Sequence, residues 1–140
     1  MIIMSVDYGK ARTGIAVCDI TQTLASPVVN ITEYNTEKLA DKVVSLAKEK
    51  KARRIVVGLP KNMDGTEGES AQNARAFAQM LTEKSGIETA MQDERGTTIT
   101  AHHFLNDTNT RGKKRKAAVD CVAAVIILQD YLEREKNRMK

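Results

Sequence analysis

Cysteine, proline and long apolar runs are scarce in this 140-residue sequence, and each scarcity removes a class of architecture. The two cysteines, Cys18 and Cys121, stand far apart, each inside an apolar run. A disulfide framework or a zinc knuckle needs paired spacing or an oxidising compartment, so both are expected to be buried thiols behaving as small hydrophobes. No apolar run reaches the roughly 18 to 20 residues that span a bilayer. The opening MIIMSVDYG carries neither a basic segment nor a small-residue cleavage site, so no secretory signal is expected and a cytoplasmic location is. Tryptophan is absent and aromatics make up 4% of a composition otherwise ordinary for a soluble globular protein. There is no Pro- or Ser-rich linker, internal repeat or low-complexity tract. With the length, this predicts one domain over residues 1–140.

Charge is plentiful. The formal net charge is +4, and five cations fall in the six positions Arg111 to Lys116 (RGKKRK). Such a block attracts polyphosphate backbones through counterion release. A solvated loop in a basic protein is the bland alternative.

Periodicity predicts the order of elements. Ile2 to Asp7, Thr13 to Cys18 and Ala25 to Ile31 have strand character, and YGKAR is a natural hairpin turn, so these three should form an antiparallel meander. Leu39, Val43, Leu46 and Ala47 then recur at helical spacing, with Thr36 as the expected N-cap. Arg54 to Gly58 reads as a β-branched strand, and Ser70 to Lys84 as a helix ended by Ser85-Gly86. Ile87 to Gln92 reads as a strand, Thr98 to Leu105 as a short helix, and Ala117 to Glu135 as a long one. The order β-β-β-α-β-α-β-α-α gives an α/β fold with a mixed five-stranded sheet and helices packed on it. VDCVAAVIIL is too apolar for a surface helix and must lie against the sheet.

Three carboxylates stand out in that frame. Asp7 ends the first strand after an apolar run. Asp93 and Glu94 follow the last strand. Asp120 is the one carboxylate in the apolar half of the last helix, where burial without a partner, a proton or a cation would cost several kcal/mol. With the first strand central, the ends of that strand and of the two parallel strands lie on one side, and the last helix can present Asp120 there. Taken singly, Asp7 reads as a turn cap, Asp120 as an ion-pair partner and Glu94 as a partner of Arg95. Converging, they repel one another unless a cation is bound. Hard oxygen ligands with open positions favour Mg²⁺ or Mn²⁺. A pair of such ions roughly 4 Å apart can activate water and stabilise the leaving oxygen in phosphoryl displacement.

Two glycine-bearing loops should frame such a site. Gly9, in the first hairpin, would let a phosphate approach the backbone. The loop from Gly58 to Thr66 leaves the C-terminal end of a parallel strand, where open α/β sheets bind ligands. Lys10, Arg12 and Lys61 are the expected phosphate contacts. Turn chemistry alone is the other reading of both loops.

The segments DYGKARTGIAVCD, VVGLPKNMDGTEG, DERGTT and VDCVAAVIILQDYL, in this order, resemble the YqgF/RuvX family across nearly the whole chain. Its members are described as nucleases of pre-16S rRNA or as resolvases of Holliday junctions. The resemblance implies a ribonuclease H-like fold, and a divalent-metal-dependent nuclease domain with Asp7, Glu94 and Asp120 as metal ligands and catalytic residues. Asp93 is the alternative ligand. Nucleic acid is the expected partner, and from their charge and placement Lys10, Arg12, Lys61, Arg95, Arg111, Lys113, Lys114, Arg115 and Lys116 are its expected contacts. Maturation of the 16S rRNA 5′ end ranks first and resolution of branched DNA second. A resolvase cutting two strands would be a symmetric homodimer. Two departures from the family pattern are Gly96, where a large apolar residue is usual, and Thr13, where an aliphatic one is common. His102 and His103 read as surface residues, and Thr97 and Thr98 as helix caps.

Two other classes compete. Asp-x-Gly in the first hairpin is similar to the phosphate-binding hairpin of actin-like ATPases and sugar kinases, which close two such domains on a nucleotide. A nucleic-acid binding module without catalysis would account for the basic charge but not for three acids beside a polyanion.

Overall fold

The computed structural model describes residues 1–9, 11–60, 64–93 and 112–138, and the side chains of residues 122–136 within the last stretch. Its elements are β1 (Ile2–Asp7), β2 (Arg12–Cys18), β3 (Ala25–Thr32), α1 (Thr36–Glu49), β4 (Ala52–Leu59), α2 (Glu69–Ser85), β5 (Glu88–Asp93) and α3 (Gly112–Arg138). The sheet order is β3-β2-β1-β4-β5. β1–β2 and β2–β3 pair antiparallel, β1–β4 and β4–β5 parallel, as the meander followed by alternating elements predicts. The short helix expected over Thr98–Leu105 lies outside the described residues, and so do Thr97, His102 and His103.

Local chemistry sets the turns. A Cβ at Gly9 would stand 2.3 Å from the Arg12 carbonyl oxygen, so the β1–β2 hairpin needs glycine there for the close approach of its own backbone. Thr13 is fully buried, and its hydroxyl lies 3.4 Å from the Gly9 amide as acceptor. This departure from the family pattern thus braces the hairpin. α1 is capped by Asn35, not Thr36. The Lys38 amide donates to the Asn35 side chain at 3.0 Å, and Thr36 is the first helical residue. Asparagine one position earlier wins because its carbonyl oxygen reaches the third helical amide. Gly86 ends α2 in the left-handed region, with φ 73°, at the Ser85-Gly86 stop expected.

Strand alternation divides the core between the two faces of the sheet. Met4, Val6, Ile15, Ile55 and Val57 pack under Leu39 and Val43 of α1 and Phe77 and Leu81 of α2. Ile3, Ala16, Cys18 and Val56 point the other way, onto Ala124, Ile127, Leu128 and Tyr131 of α3. Each large aliphatic or aromatic side chain so buried contributes about 1.5–3 kcal/mol. The apolar half of the last helix therefore lies against the sheet, as its composition requires. The helix starts at Gly112, however, rather than at Ala117. Lysine and arginine are good helix formers, and the basic run extends the helix instead of leading into it. Cys18 is a buried free thiol whose pKa is raised, chiefly by that burial. The Cys121 side chain is outside the described residues. Among the described residues no helix is long and apolar enough to cross a membrane.

Candidate active site

Asp7 inherits its direction from β1. Ile3 packs against α3 and the Ser5 hydroxyl bonds to it, whereas Met4 and Val6 face α1 and α2. The alternation places half-buried Asp7 on the α3 face, at the C-terminal end of the central strand. Asp7 pairs with Gly14 of β2, and Gly14 with Asn30 of β3. On the other side Val6 pairs with Val57, so Asp7 stands level with Gly58, which pairs with Gln92. The row across the sheet reads Asn30, Gly14, Asp7, Gly58, Gln92. Both strands adjacent to Asp7 contribute glycine, so no neighbouring side chain in the row crowds the carboxylate. Arg12 lies two residues beyond Gly14 on β2, on the same face and at the same end of the sheet.

α3 is tied to this face at several heights. The Ser5 hydroxyl donates to the Ala124 carbonyl at 2.7 Å inside the core. Further along the helix, Arg54 donates to the Tyr131 hydroxyl at 2.8 Å and to Glu88 at 3.1 Å. Arg54 pairs with Ile3, so between Ala124 and Tyr131 α3 passes from the level of Ser5 towards the level of Ile3. One turn back from Ala124, about 6 Å, is helical position 120. Two residues on from Ser5, about 6.6 Å, is Asp7. Position 120 shares the helix stripe of Ala124 and stands at about the height of Asp7. Positions 116 and 113 continue that stripe.

The other residues singled out in the sequence divide as follows. Asp93 ends β5, but it alternates with Thr89 and Met91. Thr89 exchanges a 2.9 Å hydrogen bond with Thr82 of α2, and Met91 packs into the α1–α2 layer, so Asp93 belongs to the face away from α3. Gln92 faces α3, with Arg134 at 3.5 Å. Glu94, Arg95, Lys10, Lys61 and Arg111 lie outside the described residues. Lys113, Lys114, Arg115, Lys116 and Asp120 are described as helical backbone, without their side chains. Among the described residues no three of His, Cys, Asp and Glu gather into a metal-holding group. Sequence reasoning missed Ser5 and Gln92, and it placed Gly58 in a framing loop rather than in the strand beside Asp7. The polar Ser5 in the apolar run IIMSVD was the available signal for the first.

Donor chemistry at this end of the sheet fits a hard divalent cation. Asp7 is the described carboxylate at this end of the α3 face, an oxygen donor of the kind such a cation takes, whereas Glu88 stands at the other end of β5 and the described thiol, Cys18, is buried at the far end of β2.

The family model described as "RuvX: Holliday junction resolvase" matches residues 1–134. The chain belongs to the RuvX family. Curated relatives of this RuvX-family chain carry the name "Putative pre-16S rRNA nuclease". The Lactococcus lactis protein is 41% identical over 133 residues, covering 94% of this chain and 93% of the relative. The Shouchella clausii protein is 37% identical over 141 residues, covering 99% of each. The fold is ribonuclease H-like. RuvC of T. thermophilus in complex with Holliday junction substrate superposes with a TM-score of 0.62 at 10% identity, covering 98% of this chain and 96% of that one. The fowlpox virus Holliday junction resolvase gives 0.57 at 15% identity, covering 96% and 99%.

Proposed function

We propose that this RuvX-family chain is a divalent-metal-dependent nuclease that hydrolyses phosphodiester bonds of structured RNA, processing the 5′ end of pre-16S rRNA in the cytoplasm. The nuclease domain spans residues 1–140. The observation that carries this reading is Asp7, half-buried at the C-terminal end of the central strand on the α3 face, with Gly14 and Gly58 on either side.

In this reading Asp7, Glu94 and Asp120 hold Mg²⁺ or Mn²⁺. When bound, such an ion activates water and stabilises charge on the reacting phosphate. Alternation on β5 favours Glu94 over Asp93. Asp93 belongs to the α1–α2 face, away from Asp7, which leaves Glu94, the ligand that the resemblance implies. The height of position 120 on α3 supports Asp120 as the helix contribution. The chain's own part is to bring a phosphate over the glycines flanking Asp7 and to hold the substrate backbone. Arg12 is placed for this, and Lys10, Lys61, Arg95 and the cations from Arg111 to Lys116 are assigned to it. Without metal the carboxylates would repel the polyanion, which argues for chemistry rather than binding alone.

Resolution of branched DNA is the second reading, favoured by the family model's description and by the shared fold with RuvC and the fowlpox resolvase. In that case the active form would be a symmetric homodimer. The names of the curated relatives favour rRNA. The test is side-by-side cleavage of labelled precursor rRNA, linear DNA and a four-way junction, with Mg²⁺, Mn²⁺ or EDTA. Cleavage of the precursor alone, abolished by EDTA, is expected. Undiminished cleavage in EDTA would remove the metal mechanism, and cleavage of the junction alone would exchange the two substrates.

A further inference from the structure

We infer that Ser5 is a positioning residue for the active site, holding α3 at the height along β1 that sets position 120 beside Asp7. This rests on the metal-nuclease reading and adds to it the device that aligns two of its carboxylates.

Ser5 is fully buried at the middle of β1, between Ala16 of β2 and Val56 of β4. Around it the interface with α3 is apolar: Ile3, Ala16 and Val56 meet Ala124, Ile127 and Leu128. Apolar packing fixes which stripe of the helix is buried, but it resists a small shift of α3 along β1 only weakly. A hydrogen bond is directional, and a buried hydroxyl left unpaired is costly, so the 2.7 Å bond from Ser5 to the Ala124 carbonyl selects one height. Without that bond α3 is free to shift along β1 by a fraction of its rise of about 1.5 Å per residue, which carries position 120 away from the height of Asp7 while the apolar stripe stays buried. The other polar ties run through longer side chains and lie further from position 120. Gln129 reaches the Ala25 amide at 3.2 Å, and Arg54 reaches Tyr131 at 2.8 Å. Ser5 has the shortest lever, two strand residues from Asp7 and one helical turn from position 120.

The test uses the full chain without nucleic acid. Mn²⁺ binding is measured by electron paramagnetic resonance for the wild type, Ser5→Ala, Asp7→Asn and Ile127→Val. Ile127→Val removes one methyl group from the same helix–sheet interface, so it is the control for simple loosening. Thermal melts run alongside confirm that each variant is folded. Ser5→Ala should weaken Mn²⁺ binding about tenfold, as removal of an outer-shell orienting group does, with Ile127→Val unchanged. Cleavage that Ser5→Ala loses at low metal should return as Mn²⁺ is raised. If the wild type and Asp7→Asn bind Mn²⁺ alike, or neither binds it, the metal-site reading itself fails. Should Asp7→Asn lose binding while Ser5→Ala keeps wild-type affinity, the positioning role alone is overturned. The same holds if Ile127→Val weakens binding as much as Ser5→Ala.

Discussion

The Tyr8 ring lies flat on Phe77, with centroids 4.4 Å apart and planes 13° from parallel. Tyr8 directly follows Asp7, and Phe77 is buried in α2, so the stack fastens the end of β1 to the layer opposite α3. Tyr8→Ala should cost about 2 kcal/mol, combining removal of an aromatic pair with partial loss of burial. Tyr8→Phe, which keeps the stack, should stay near wild-type stability. Urea denaturation measures both, and equal stability of Tyr8→Ala and wild type would show that the stack anchors nothing.

Asp7→Asn and Asp120→Asn keep side-chain shape and remove ligand charge. Each should lower kcat on the order of 10³-fold or more, through loss of several kcal/mol of transition-state stabilisation, while the circular dichroism spectrum is unchanged. Glu94→Gln should be nearly as damaging. Asp93→Asn should lie within a few-fold of wild type, because β5 alternation turns Asp93 to the other face. A folded Asp93→Asn variant less active than Glu94→Gln would reverse the ligand assignment.

The basic run occupies the first turns of α3, with no acidic residue in the first turn, so its charges oppose the helix macrodipole. Lys113→Ala combined with Lys116→Ala changes the two cations on the stripe of position 120. The pair should reduce the slope of log affinity against log salt by roughly 0.7–0.9 for each phosphate that is no longer neutralised. Turnover at saturating substrate should change little, since such cations bind ground and transition states about equally. Folding stability should rise by a few tenths of a kcal/mol. An unchanged salt slope would move the substrate path to Lys10, Arg12 and Lys61.

Asp19 carries the clearest acid signature. Its carboxylate accepts from the Thr21 hydroxyl and from the Leu24 and Thr23 amides, which lower its pKa from 3.8 to about 2. A depressed carboxylate pKa adds stability that is complete above the unfolded value and lost as pH falls through the folded one. The difference in melting temperature between wild type and Asp19→Ala should therefore be constant above about pH 5 and shrink from about pH 4 to about pH 2. A difference flat across that window would show that the β2–β3 turn does not depend on the ionised carboxylate.

Local pattern determined much of this protein. Period-2 and helical spacing predict the five strands and the three helices of the described residues, and Gly86 stops α2 in the left-handed region that favours glycine. The sequence also marks Asp7 as a carboxylate at a strand end, and the apolar stretch of the last helix as a segment bound to the sheet. These properties depend on neighbours a few residues apart. What the tertiary structure decided is register. That Asp7 lies between two glycines follows from pairing with β2 and β4, and its alignment with position 120 from a hydrogen bond between residues 119 apart in sequence. That Asp93 faces away from α3 depends on the packing of Met91 and Thr89 against the α1–α2 layer. No local periodicity encodes such relationships, because a strand or helix keeps its own pattern when it slides, and it is burial against distant elements together with directional bonds to them that fixes where it stops.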